Sequence, residues 1–432
     1  MKKRIFIQNI MILSASSLVI RGIGMAFSVK LAAVMGAEML GRYRLTISIY
    51  VFFLLLCTSG ISVTVTRLTG DLLAKNEYGK ASFVRDKALG FSFITGIILG
   101  AIMFLTSFFL PRHIFGDGAA GAVRLLGISL PFGGFSAALR GYFTAKRKIL
   151  RNAGEQLLEQ LSEITVFFIA ADHLSALGVS PLLCAALATT IAEIISFFYC
   201  IFLWLNDRKH NAAPEQFSGI YKLSSPVFIP CTASAGLRSA LSAIENSLIP
   251  VGLITFGSGR ENALSEYGII SGMALPCVLF PSVFILPFSQ LIVTELSRER
   301  TLLHTKNIRR ISVRSLRIVI IYSLLMMTPF IFIPDKIASA FGYCDKAGFY
   351  MRVLAPLIPL SYLDSAVDGM LKGLDCQKSY FHINIIESVL RVIMALTLVP
   401  FLGTAGVIAI ILFGELINVT LSLWKLLEVI KI

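Results

Sequence analysis

The chain of 432 residues is 56% hydrophobic and only 15% charged, with a mean hydropathy of +0.79. A soluble globular fold cannot bury so many apolar side chains, so the composition excludes a soluble protein and indicates a membrane protein. The net charge of +14 is spread over short connections between apolar segments, which favours contact with anionic lipid headgroups and argues against nucleic acid as a partner.

The apolar residues form about twelve runs of roughly 18 to 25 residues, each long enough to cross a bilayer as a helix. An all-α polytopic membrane protein is therefore predicted. The predicted spans, in chain order, are 7–34, 45–67, 88–110, 121–144, 155–175, 181–204, 224–252, 266–291, 313–334, 348–371, 380–400 and 405–424.

Lysine and arginine are concentrated in every second connection, beginning with Lys2, Lys3 and Arg4 at the amino terminus. Cytoplasmic loops of membrane proteins carry an excess of these two residues. The pattern predicts a multi-pass protein of the cell membrane with both termini in the cytoplasm.

The two halves of the chain match each other at a constant offset of 228 residues. The offset aligns Pro131 with Pro359 and Gly141 with Gly369, and it continues into the following helix. Agreement over separated stretches indicates an internal duplication.

Each half contains six predicted spans, and because six is even both halves enter the membrane from the same side. We therefore predict two six-helix lobes, residues 1–215 and 216–432, related by a parallel repeat. Lobes of this kind enclose a substrate cavity near the bilayer midplane, which is typical of transporters. The sequence shows no catalytic motif and no connection long enough for a catalytic domain, so we expect neither an enzyme nor a cofactor or metal site.

Of the arginines within the predicted spans, two are singled out because their helix faces carry small and polar residues. Arg21 shares its face with Gly24 in the first span, and Arg238 shares its face with Ser234 in the seventh. A charge in lipid costs at least about 2.5 kcal/mol, so both side chains are expected to face protein or water. Two interpretations stay open: the arginines bind an anionic group of a substrate, or they pair with acids of other helices, as Arg21 would with Glu245.

Five carboxylates within the spans are candidates for ion coupling or gating: Glu193, Glu245, Glu415, Asp364 and Asp368. Glu193 and Glu415 occupy equivalent positions in the sixth and twelfth spans, with no basic residue one turn away on their own helices. For these two a neutral interhelical hydrogen bond and a coupling-ion site are both open. The two aspartates are candidates for a charge lock on the cytoplasmic side.

Two further pairs of opposite charge lie four residues apart on predicted helices. They are Glu387 with Arg391, and Arg151 with Glu155. Residues at this spacing are neighbours on a helix, so each pair is expected to neutralise itself.

Several stretches carry a family resemblance: RGYFTAKRK and LLEQLSE after the fourth span, YGIISGMALP in the eighth, and FPSVFILPFSQLIVTELS at its end. They resemble the multidrug/oligosaccharidyl-lipid/polysaccharide (MOP) exporter superfamily, in the branch of the stage V sporulation protein B-like polysaccharide flippases. The resemblance implies two six-helix lobes around a V-shaped cavity and the export of lipid-linked saccharides. It also implies that Arg21 holds the pyrophosphate of a polyprenyl-linked sugar.

The expected function is that of a flippase, which moves a polyprenyl-pyrophosphate-linked oligosaccharide or cell-wall precursor across the cytoplasmic membrane by alternating access. The expected partners are the lipid bilayer, this substrate and a coupling ion, either H⁺ or Na⁺. The alternative is a cation-coupled multidrug antiporter of the MATE type. The carboxylates Glu193, Glu245 and Glu415 favour that alternative, whereas the basic charge of Arg21 on the first span argues against it.

Overall fold

The computed structural model describes residues 2–110, 115–116, 118–174, 178–209, 213, 215–216, 220–302 and 304–431, and for residues 2–17, 149, 209, 220–222 and 431 it describes the backbone alone. These residues are overwhelmingly helical, with no strand among them. The helices are α1 (Lys2–Ala74), α2 (Tyr78–Thr106), α3 (Ala119–Ala145), α4 (Ile149–Leu174), α5 (Pro181–Lys209), α6 (Ile220–Thr255), α7 (Arg260–Gly268), α8 (Leu275–Leu279), α9 (Ile285–Thr301), α10 (Thr305–Phe332), α11 (Pro334–Ala340), α12 (Asp345–Leu354), α13 (Leu357–Gly373), α14 (Gln377–Thr397), α15 (Val399–Leu402) and α16 (Thr404–Lys431).

The predicted all-α polytopic fold is confirmed, because every predicted span has a helical counterpart. Helix α1 contains the first two spans and bends at Gly36, whose φ of 69° is a left-handed conformation that favours glycine. The eighth span runs from α7 to α9 through a π-helical turn (Ile269–Ala274), α8 and a 3₁₀ turn (Phe280–Phe284). Within the described part of the chain, nine segments are long and apolar enough to cross a membrane, and the first of them holds both arms of α1.

The helices of the two halves pack in the same pattern, as a duplication predicts. In the first half α3 packs against α2 and α5, and α5 also packs against α4. In the second half the equivalent helix α13 packs against α10 and α16, and α16 also packs against α14. The equivalent glycines sit at equivalent contacts: a Cβ on Gly141 would meet the backbone of Ser62, and a Cβ on Gly369 would meet Ser289.

The chain separates by its internal contacts into two compact units. The first unit is Met1–Ile23 with Leu45–Ala243, and the second is Gly24–Arg44 with Ile244–Ile432. Helices α1 and α6 therefore each contribute to both units. The division into lobes of residues 1–215 and 216–432 stays a prediction based on the repeat.

The segment Gly24–Arg44 joins the second unit because glycines allow close backbone packing there. A Cβ on Gly41 would collide with the carbonyl oxygen of Leu264, and a Cβ on Gly268 with that of Ala37. The middle of α1, on both sides of the bend at Gly36, therefore belongs to the second unit, while the two ends of the helix belong to the first.

Candidate functional site

A buried charge cluster in the first unit is centred on Arg140 of α3. Its Nη1 donates to the two carboxylate oxygens of Glu155 on α4, at 2.9 and 3.2 Å, and lies 3.6 Å from Glu159. Glu155 is only 1% exposed and also accepts a 2.8 Å hydrogen bond from the hydroxyl of Ser196 on α5. A carboxylate is stable at such burial only when a cation and further donors surround it, and both are present here.

Glu193 of α5, a candidate from the sequence, lies buried beside this cluster. The Tyr50 hydroxyl donates to Glu193 Oε1 at 3.4 Å and accepts a 3.1 Å hydrogen bond from Ser129. Gly133 makes room for the carboxyl group, because a Cβ there would stand 3.3 Å from both of its oxygens. Glu193 also lies within electrostatic range of Arg140. We call Arg140, Glu155, Glu159, Glu163 and Glu193 the Arg140 cluster.

A second cluster in the second unit is centred on Arg391 of α14. The guanidinium lies 2.6 Å from Glu387, 3.2 Å from Glu415 on α16 and 3.7 Å from Glu245 on α6. The predicted pairing of Glu387 with Arg391 is confirmed. The structure also brings together two carboxylates, Glu245 and Glu415, that are 170 residues apart in the sequence.

Asp364 and Asp368 lie one turn apart on α13, next to the Arg391 group. Asp364 is within electrostatic range of Asp368, Glu387 and Glu415. Its Oδ1 is buried and accepts no hydrogen bond from the described residues. We call Arg391, Glu245, Glu387, Glu415, Asp364 and Asp368 the Arg391 cluster.

The two clusters occupy equivalent positions in the repeat, but their charges are exchanged. The offset of 228 residues aligns Arg140 with Asp368 and Glu163 with Arg391. Each cluster therefore sets one arginine against several carboxylates, although the arginine comes from a different helix in each half. Such an excess of carboxyl groups cannot all stay ionised in a medium of low dielectric constant unless a proton or another cation compensates it.

Arg21 and Arg238 are the candidate arginines for an anionic substrate, and both side chains are exposed. Both belong to the first unit. Arg21 forms no ion pair with any described residue, and a Cβ on its neighbour Gly22 would meet no atom within 4 Å. Arg21 is therefore an exposed cation within a membrane-spanning segment, without an acidic partner among the described residues.

Sequence reasoning missed a third group, centred on Asp207 near the end of α5. This carboxylate is 2% exposed and accepts hydrogen bonds from Tyr142 and Lys148 at 3.0 Å, and from Lys146 at 3.1 Å. Burial lowers the pKa of Lys146, although the nearby Asp207 carboxylate partly opposes that effect. The sequence offered no clear signal, because the basic run after RGYF is also what a connection next to anionic headgroups carries, and nothing showed that an acid of α5 would meet it.

The predicted pairing of Arg151 with Glu155 is wrong. Arg151 Nη1 lies 3.3 Å from Asp207, and Glu155 is bound by Arg140. The partner of Arg151 lies on α5 and the partner of Glu155 lies on α3. Each is closer than the oppositely charged residue one turn away on α4.

Residues 6–235 match the model of a family described as polysaccharide biosynthesis protein. Stage V sporulation protein B of Bacillus subtilis (strain 168) is 22% identical over 433 residues, which cover 96% of this chain and 82% of that protein. Sporulation protein YkvU of the same organism is 18% identical over 404 residues, which cover 92% and 88% respectively.

Among solved structures, the inward-facing conformation of a multidrug resistance MATE family transporter of the MOP superfamily has a TM-score of 0.76. The likeness covers 96% of this chain and 98% of that one at 16% identity, so it shows the fold. With more than half of its residues inside the family match, the chain belongs to the polysaccharide biosynthesis protein family, as a multi-pass membrane protein with the MOP exporter fold.

Proposed function

We propose that the protein is a flippase, which moves a lipid-linked saccharide across the cytoplasmic membrane. The observation that carries the proposal is the exposed side chain of Arg21, which lies within a membrane-spanning helix and has no acidic partner among the described residues. A cation is retained in such a place at a cost, and its natural counterpart is an anionic substrate group. Membership of the polysaccharide biosynthesis protein family supports a saccharide substrate.

In this mechanism Arg21 and Arg238 hold the pyrophosphate of a polyprenyl-linked sugar. Their planar guanidinium groups present paired N–H donors that match phosphate oxygens. The headgroup crosses with its charge compensated while the polyprenyl tail stays in lipid, and alternating access releases the headgroup on the outer side. No covalent bond forms or breaks, so the protein acts as a transporter and not as an enzyme. The proposal has both termini in the cytoplasm, as the distribution of lysine and arginine over the connections predicts.

The Arg140 and Arg391 clusters supply the coupling ion in this proposal. Each holds more carboxyl groups than its arginine can neutralise, so an H⁺ or Na⁺ that enters or leaves changes the balance of charge within the cluster. Glu193 in the first cluster, and Glu245, Glu415, Asp364 and Asp368 in the second, are the residues that would take part.

The experiment compares Arg21→Ala with the unsubstituted protein in the native host, by mass spectrometry of polyprenyl-pyrophosphate-linked saccharides on the cytoplasmic side. We expect Arg21→Ala to lower transport by about tenfold or more, because a hydrogen bond to a charged group contributes about 1.5 to 3 kcal/mol, and one lipid-linked saccharide accumulates as a result. Arg21→Lys should retain part of the activity, since it keeps the charge and loses the fork. Arg314→Gln, which removes an exposed arginine of α10, is the matched control.

Normal saccharide pools in Arg21→Ala, with the variant inserted and folded, contradict the flippase. The second candidate function is a cation-coupled multidrug antiporter, and two observations favour it: the excess of carboxylates, and the fold shared with a multidrug MATE transporter. An antiporter predicts altered drug tolerance on depletion together with unchanged saccharide pools.

A further inference from the structure

A largely apolar pocket of about 300 Å³ opens in the first unit between α1, α2 and α6. Phe91 of α2 and Phe228 of α6 form one wall, with ring centroids 5.5 Å apart in an edge-to-face arrangement. The pocket begins directly beyond Gly60, where α1 and α6 touch: a Cβ on Gly60 would stand 2.9 Å from the carbonyl oxygen of Phe228. From Ile61 onward, side chains of α1 line the pocket and do not pack directly against α6 as Gly60 does.

The pocket has a buried polar group that no described residue satisfies. Thr64 is 6% exposed and lines the pocket, and its hydroxyl has no hydrogen-bond partner among the described residues. Two nearby residues of the same helix behave differently, because the hydroxyls of Thr58 and Thr66 bond to carbonyl oxygens one turn back. An unmet buried hydroxyl costs about 1 to 3 kcal/mol, which a ligand with acceptor oxygens would recover.

Among the described residues that line the pocket, Lys87 at its edge is the one charged residue, and its side chain is exposed. The predicted boundaries of three spans, at residues 67, 88 and 224, all fall at this pocket, which puts it at the depth of the lipid headgroups on the predicted cytoplasmic side. Ser224 adds a hydroxyl at the same level. A cation and hydroxyls at headgroup depth, above an aromatic and aliphatic wall, complement an anion attached to a hydrocarbon chain.

We infer that this pocket is a binding site for one anionic phospholipid, with its phosphodiester between Lys87 and Thr64 and an acyl chain along Phe91 and Phe228. The one cation among the described lining residues, Lys87, matches the single negative charge of a phosphodiester, which favours a membrane phospholipid over a pyrophosphate-bearing substrate. The inference does not depend on the proposed function, because every residue it uses lies outside the candidate substrate and coupling groups.

The test uses the purified full-length protein and phosphatidylglycerol with a photoreactive diazirine on one acyl chain, followed by peptide mass spectrometry. We expect cross-links within residues 61–68, 84–91 and 224–229. Phosphatidylcholine with the same acyl chain should give about fivefold fewer, the equivalent of one lysine's attraction to an anionic headgroup.

Two variants and a control identify the groups responsible. Lys87→Gln should lower phosphatidylglycerol cross-linking about fivefold, and Thr64→Val should lower it while it leaves folding intact, because it removes an unbonded hydroxyl without a change of shape. Lys75→Gln removes an exposed lysine at the end of α1, outside the pocket, and should change nothing.

Equal labelling by the two lipids, or labelling unaffected by Lys87→Gln, overturns the inference and leaves an ordinary lipid-facing groove. Displacement of phosphatidylglycerol by an equal concentration of a polyprenyl phosphate also overturns the inference, because the pocket would then be a binding site for the transported lipid. Neither result bears on Arg21, so the flippase proposal is tested separately.

Discussion

At the scale of single residues, the second unit contains an arginine that compensates carboxylates from three helices. Arg391 is 20% exposed and lies within 4 Å of Glu245, Glu387 and Glu415. Loss of the cation leaves these acids without a partner in a medium of low dielectric constant, which is far more costly than loss of a pair that water can reach.

We therefore expect Arg391→Leu to lower the free energy of unfolding by as much as about 3 kcal/mol, measured as a fall in the melting temperature of the detergent-solubilised protein. Arg352→Gln is the control, because Arg352 and its partner Asp335 are 49% and 66% exposed, and such pairs contribute about 0 to 1 kcal/mol. The double variant Arg391→Leu/Glu387→Leu should recover part of the loss. Equal melting temperatures for Arg391→Leu and Arg352→Gln would refute the idea that Arg391 stabilises the cluster.

At the scale of helices, the repeat preserves a contact and not merely a pattern of residues. Gly141 packs on Ser62 in the first half, and its equivalent Gly369 packs on Ser289 in the second. Small residues let membrane helices approach closely. Close van der Waals packing then stabilises the helix pair, because within a bilayer there is no hydrophobic effect to drive the helices together.

Gly141→Ala and Gly369→Ala should each destabilise the protein by about 1 to 3 kcal/mol, since an added Cβ would stand 3.0 Å or less from atoms of the facing helix. A thermal-shift assay in detergent measures this. Gly90→Ala on α2 is the control, because a Cβ there meets no atom within 4 Å, and it should leave stability unchanged or raise it. If all three variants have the same melting temperature, close packing at Gly141 and Gly369 does not contribute to the stability of the protein.

At the scale of the whole molecule, the basic connections predict which segments face the cytoplasm. Cys344 is exposed between α11 and α12, in a connection predicted to lie outside, and Lys75 is exposed in one predicted to lie inside. The alternation of lysine and arginine sets this orientation during insertion.

A membrane-impermeant maleimide applied to intact cells should therefore label the unsubstituted protein and not Cys344→Ser. In the double variant Lys75→Cys/Cys344→Ser, labelling should occur only after the membrane is permeabilised. The reverse pattern would invert the topology, and with it the side from which a substrate enters.

The sequence by itself determined the spans, the repeat and the pairs within one helix. Apolar length identifies a membrane helix because a bilayer has a fixed thickness, and the pairing of Glu387 with Arg391 follows from the helical period alone. Glu193 and Glu415 could be selected as candidates because a mid-span carboxyl group is costly wherever its helix packs.

Only the tertiary structure decided which helices supply the partners. Arg140 meets Glu155 and not an acid of α3, and Arg151 meets Asp207 and not Glu155, because these contacts depend on how the helices pack side by side. That packing depends on close approaches between helices, such as Gly141 on Ser62. The periodicity of a single helix does not show which residue of the neighbouring helix it will meet. The same limit hid the unmet hydroxyl of Thr64, since helical spacing shows which face carries a threonine and not whether a neighbouring helix reaches it.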